Sequence, residues 1–210
     1  MTARYFALLL LPLLLTPASQ AQHHDVRFEW AFGALTRPDD TFVSIGRQVA
    51  LKSGDRLKMF LRLKERGFVY VVFYDADHQL RLLHPGTISS GEPAVGVPVY
   101  IPAGEDWMDL DDRAGVETIH LIASSTRLVK LEDALRQYLS SRASDRAIVT
   151  QQVLEEIARA KQQFAPGAAV TERPVEMAGR VRGSPKDIAS YATEVSARQF
   201  YSRTITIDHR

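Results

Sequence analysis

Apolar and polar positions alternate with a period of two through much of the first half of the chain, the signature of strands with one buried face. Val26-Arg27-Phe28-Glu29-Trp30-Ala31-Phe32 begins the pattern. Arg37-Pro38-Asp39-Asp40 reads as a turn. Leu57, Met59, Leu61 and Leu63 then occupy one face of a strand, with Lys58, Arg62 and Lys64 on the other and Phe60 out of pattern. Phe68 to Tyr74 is apolar throughout, which predicts a central strand buried on both faces. Asp75-Ala76-Asp77-His78 turns the chain into Leu80-Arg81-Leu82-Leu83, a hairpin signal. Residues 85–98 hold three Pro and three Gly and read as a loop; Val97, Val99 and Ile101, and later Ile119 to Ala123, predict two more strands. Short strands at this spacing with Gly/Pro turns predict an antiparallel β-sandwich-like core.

The period changes near residue 128. Leu131, Ala134, Leu135, Tyr138 and Leu139 repeat at helical spacing, and Ile148, Val149, Val153, Ile157 and Ala160 do so again, with Ser144 as the expected N-cap. Residues 166–183, with three Gly and two Pro, read as an irregular connection, and Ser184-Pro185-Lys186-Asp187 opens an expected short helix through about Arg198. Tyr201 to Ile207 alternates as a final strand, which must pair with something and is expected to return to the sheet. The expected fold class is therefore α+β: an antiparallel β-sandwich-like core (53–130), a helical segment with two or three helices (128–200) and a terminal strand (200–208), together forming a single domain over residues 22–210.

Residues 1–21 read as a secretory signal peptide. Arg4 supplies the positive n-region, Tyr5 to Leu15 the apolar stretch and Ser19-Gln20-Ala21 a small-x-small cleavage site. That stretch falls short of the roughly 20 residues that span a bilayer, and Pro12 interrupts it. The expectation is an exported protein, periplasmic or secreted, with no membrane anchor after cleavage.

Composition changes this picture mainly by exclusion. Among 210 residues there is no Cys, so disulfides, Cys-ligated zinc and thiol nucleophiles are ruled out. Removing Arg4 with the signal leaves 26 − 1 = 25 basic groups against 25 acidic ones. A neutral chain has no bulk attraction for nucleic acid, and none is expected as a partner.

Catalytic motifs are absent: no G-x-S-x-G elbow, S-x-x-K, H-E-x-x-H or phosphate-cradling glycine loop occurs. Ser89, Ser90, Ser124, Ser125, His84 and His120 remain as dispersed candidates, since triads assemble in space. The acidic stretch Glu105 to Asp112 lacks the spacing of a calcium loop and reads as an alternating edge strand with a solvated turn. Cleavage after Ala21 would expose Gln22-His23-His24-Asp25, where an α-amine, intervening amides and an imidazole suit square-planar Cu²⁺ or Ni²⁺; His23 and His24 are the candidate metal ligands. His120 reads as a satisfied strand histidine, His84 as a turn residue and His209 as part of a fraying terminus. Phe68, Tyr70, Phe73 and Tyr74 read as core or sheet surface, and Arg173, Arg180, Arg182 and Lys186 as a solvated basic connection.

Five short segments carry a family resemblance: Ser53-Gly54-Asp55; Gly67-Phe68-Val69-Tyr70-Val71; Leu82-Leu83-His84-Pro85-Gly86; Tyr100-Ile101-Pro102; and Ala114-Gly115-Val116-Glu117 before Ile119-His120-Leu121-Ile122-Ala123. In order and spacing, residues 53 to about 130 resemble the bacterial domain of unknown function 4384 family. His78 stands where members often have Gly, and His84 where an aromatic residue is usual. The resemblance implies an accessory interaction module and brings no catalytic residues or cofactor. The leading expectation is thus a non-catalytic interaction module of the bacterial envelope with an envelope protein as partner. Two alternatives stand beside it, an exported hydrolase with a site assembled in residues 84–115 and an N-terminal copper- or nickel-binding protein.

Overall fold

The computed structural model describes residues 25–88, 93–165, 169–175 and 187–210. Residues 1–24, with the expected signal peptide and His23 and His24, lie outside the described residues, as do Ser89, Ser90, Arg180, Arg182 and Lys186.

Two sheets face each other. The first is built on β1 (Asp25–Thr36), which pairs antiparallel with β2 (Thr41–Ser44) and with β4 (Arg56–Leu63). It extends through β7 (Val99–Ile101) and β8 (Met108–Asp109) on β4, and through β11 (Thr193–Arg198) and β10 (Val170–Pro174) on the other side of β1. The second sheet runs β3 (Gln48–Leu51), β12 (Phe200–His209), β9 (Gly115–Ser124), β5 (Phe68–Tyr74), β6 (Leu80–His84). Two α-helices among the described residues, α1 (Val129–Ser140) and α2 (Arg146–Phe164), pack on each other and against the second sheet. The α+β sandwich-like class read from the sequence is borne out, including a C-terminal strand in the sheet.

The period-two pattern explains the layers. Val26, Phe28, Trp30, Leu57, Met59 and Leu61 from the first sheet meet Val69, Val71, Phe73, Ile119, Leu121, Ile205 and Ile207 from the second in one core. The intervening residues of the second sheet, Tyr70, Val72, Ile122 and Phe200, face Leu131, Leu135, Tyr138, Val153 and Ile157 of the helices. β5 is buried on both faces for this reason. Phe60 breaks its pattern because the outer face of the first sheet is also covered: it packs with Ala31, Ile188 and Ala192. Gly67 marks a close approach before β5, where a Cβ would lie 3.2 Å from the Ser124 carbonyl oxygen.

Three local expectations are corrected. The short helix expected through Arg198 is a 3-10 turn at Ile188–Tyr191 followed by β11. Thr193, Val195 and Ala197 alternate there, and Val195 and Ala197 enter the core beside β1, so burial on the period of two overrides the capping signal. Part of the expected irregular connection forms β10, an edge strand on β11. Ser144 does not cap α2: it lies in a 3-10 turn, Ala143–Asp145, and bonds the Asp145 carboxylate at 3.0 Å.

Candidate functional site

The first site is an apolar cavity beside the edge strand β7. Leu61 and Leu63 of β4, Phe68 and Tyr70 of β5, His84-Pro85, Ile88, Pro93, Val97, Val99, Arg127 and Glu132 line a space of about 200 Å³. Its polar side is an ordered cluster. Tyr70 Oη donates to Glu132 Oε1 at 2.7 Å and accepts the Leu128 amide at 3.3 Å. Glu132, buried in the first turn of α1, also faces Arg127 Nε at 3.4 Å and Arg136 Nη2 at 3.5 Å. Arg127 lies with its guanidinium 5.2 Å from the Phe68 ring centre. Burial, with the Glu132 carboxylate beside it, raises the Tyr70 pKa, which keeps the phenol a donor. His84 is held below its usual pKa by burial, so the cavity wall it forms is neutral at pH 7. Val95 and Val97 stand about half exposed in the adjoining loop.

The second site lies at one end of the sandwich, and the sequence reading missed it. His209, expected in a fraying terminus, is 2% exposed, because the last strand runs its full length antiparallel to β9 and ends parallel to β3. Its Nδ1 faces Glu117 Oε1 at 3.2 Å and its Nε2 faces Ser53 Oγ at 3.1 Å. Asp111 comes from the segment after β8, and one ligand atom from each of Asp111, Glu117 and His209 falls within 4.8 Å of the others. Burial raises the Glu117 pKa, against the hydrogen bond from His209, which lowers it. No spacing rule joins residues 53, 111, 117 and 209; the signal that pointed to them was the final strand, whose pairing with β9 was not assigned from the sequence.

The Ser53–His209–Glu117 chain has the order of nucleophile, base and orienting carboxylate. An oxyanion hole beside it is not available from the Ser53 turn, since the Gly54 amide is taken by the Leu110 carbonyl and the Asp55 amide by that of Lys52. The other sequence candidates do not converge. Ser124 is wholly buried and its Oγ accepts the Thr126 amide. His120 is half-buried on β9, held down to about pKa 4 by burial and by Lys161, and its Nδ1 has no hydrogen-bond partner among the described residues, so it is not the satisfied histidine expected. The carboxyl-bearing residues of the acidic stretch are exposed and Met108–Asp109 forms the short strand β8, as expected, while the backbone carbonyls of Gly104 and Asp106 accept from the buried Lys58 ammonium at 2.6 and 2.8 Å. Arg173 pairs with Glu194 at 3.0 Å.

Together these features define a two-sheet β-sandwich with a helical pair on one face and an apolar cavity at its edge. Over residues 50–127 the chain matches the family model described as Domain of unknown function (DUF4384), which bears out the resemblance read from the sequence. No curated protein and no solved structure matches the chain. No helix among the described residues is long and apolar enough to cross a membrane.

Proposed function

We propose that this protein is an exported, non-catalytic accessory module of the bacterial envelope, and that it binds a protein partner by taking one large apolar side chain into the cavity beside β7. The size of that cavity carries the reading. Sites for small molecules and cofactors enclose roughly 300–1,000 Å³, whereas this one holds about 200 Å³, the scale of one large side chain. Three further features support it. Val95 extends the apolar surface beyond the cavity and Val97 stands half exposed at its rim, β7 is a three-residue edge strand beside which an extended segment can lie, and the mature chain carries no net charge to steer a polyanion. Export rests on the n-region, apolar stretch and cleavage pattern of residues 1–21.

The test is photocrosslinking in cells from a benzoylphenylalanine placed at Val97, with Val99→Asp as the control that puts a charge into the cavity. The expected result is a crosslink to a discrete envelope protein that Val99→Asp abolishes, and an exported chain that begins at Gln22 by N-terminal mass spectrometry. Crosslinks indifferent to Val99→Asp, or a chain retaining residues 1–21 in the cytoplasm, overturn the reading.

A further inference from the structure

Glu117 presents a problem that its hydrogen bonds do not solve. Its side chain is at least nine-tenths buried, Oε1 faces His209, and Oε2 is shielded from solvent without a hydrogen-bond partner among the described residues. A carboxylate oxygen in that position is strongly disfavoured if nothing compensates it. Compensation in proteins comes from a donor, a proton or a cation. Around it stand His209 from β12, itself held by Ser53 from the β3–β4 turn, and the acidic Asp111 and Asp75, which add negative charge and make the site more attractive to a cation.

We infer that Asp111, Glu117 and His209 form a binding site for a divalent cation of borderline character, with Zn²⁺ as the ion that fits best. Two carboxylates and one imidazole make an O,O,N set, which suits zinc rather than a hard cation held by oxygens alone. Zinc–ligand bonds of about 2.0–2.2 Å at a tetrahedral angle place neighbouring ligand atoms roughly 3.3–3.6 Å apart. His209 Nδ1 and Glu117 Oε1 stand 3.2 Å apart, so a shift of a few tenths of an ångström reaches that separation. Ser53 completes the arrangement from outside: binding the ion releases to solvent the Nδ1 proton that otherwise faces Glu117, and with the remaining proton on Nε2, 3.1 Å from the accepting Ser53 Oγ, the His209 lone pair on Nδ1 is directed to the ion. Asp111 is the exposed member and the one through which an ion enters. With three protein ligands, the fourth position is left to water.

Calorimetric titration of the untagged mature chain with ZnCl₂ decides the matter, in a His23→Ala, His24→Ala background that removes the N-terminal imidazoles. One Zn²⁺ per chain should bind with micromolar or tighter affinity and raise the Tm, with EDTA reversing the shift. Asp111→Asn, an exposed change that leaves the core intact, should abolish or weaken binding by at least about tenfold, and Ser53→Ala should weaken it by about 10–100-fold, the range for a residue that orients a metal-bound histidine. His209→Gln should abolish it, and its own Tm without zinc shows whether the chain is folded. Absence of heat with Zn²⁺, zinc binding indifferent to Asp111→Asn, or an Asp111-dependent site that takes Ca²⁺ in preference to Zn²⁺ would each overturn the inference.

Discussion

The Tyr70 hydroxyl donates a 2.7 Å hydrogen bond to Glu132 Oε1, linking the middle of β5 to the first turn of α1 across the layer between sheet and helices. Both side chains are buried, and the same carboxylate gathers Arg127 and Arg136. A hydrogen bond to a charged group in such a setting is worth about 1.5–3 kcal/mol. Tyr70→Phe should therefore lower the urea midpoint by a corresponding amount with an unchanged m-value. In a double-mutant cycle with Glu132→Gln, the two losses should be less than additive, since each change removes part of one shared contact. Full additivity would show that the pair is not coupled.

Asp55 plays the same part at the other end of β4. It is 3% exposed, and its two oxygens accept the Arg37 and Lys52 amides at 2.8 Å each. The preceding Gly54 sits at φ +83, in the left-handed region that favours glycine. Asp55→Ala orphans two amides and should cost roughly 1.5–3 kcal/mol for each bond, while Asp55→Asn should retain part of the stability. Equal losses from both variants in denaturant unfolding would contradict this assignment.

That pair of residues shows what was legible in the chain and what was not. Ser53-Gly54-Asp55 was readable as part of a family pattern, yet its physical role, a glycine-permitted turn locked by an acidic acceptor, needed the two amides it serves. The sandwich core was readable because burial on alternate residues writes itself into the sequence as a period of two. β11 was not, because a Ser-Pro pair resembling a helix start outweighed only three alternating positions, Thr193, Val195 and Ala197. The site at Asp111, Glu117 and His209 was less legible still. Its members come from three distant elements, and the pairing of β12 with β9 brings two of them together while the segment after β8 supplies the third. His209 looked like a terminal residue because its neighbours in sequence say nothing of its neighbours across the ladder.

Lys58 lies on the polar face of β4, as the period of two predicts, but that face is covered there and leaves it 3% exposed. Its ammonium is pinned by the Gly104 and Asp106 carbonyls and lies 5.7 Å from the ring centres of both Tyr100 and Trp107. Burial pulls its pKa down, and Glu105 and Asp106 oppose the shift. Lys58→Met keeps the apolar stem and deletes the donor. It should cost about 1–3 kcal/mol, loosen residues 102–107 in hydrogen exchange and change Trp107 fluorescence. Glu105→Gln should do little, because the carbonyls, not the carboxylate, hold the ammonium.

Acid should destabilise the fold through its histidines before most carboxylates titrate. Burial keeps His120 neutral down to about pH 4, helped by Lys161, and burial lowers His84 as well. In the unfolded chain both titrate near 6.5. Between about pH 6.5 and 4 the unfolded state therefore holds a proton on residue 120 that the folded state does not, so stability falls as the pH falls through that window and is independent of this group above it. Glu117 acts in the opposite sense: burial raises its pKa above 4.5, so the folded state takes up its proton first and offsets part of the loss just above that value. His120→Gln should have a shallower decline of urea midpoint from pH 7.5 to 5 than the wild type. In the wild type the His120 Cε1 proton should hold its NMR shift between pH 7 and 5.5. A variant with an unchanged slope, or a His120 resonance that titrates near 6.5, would place the acid sensitivity elsewhere.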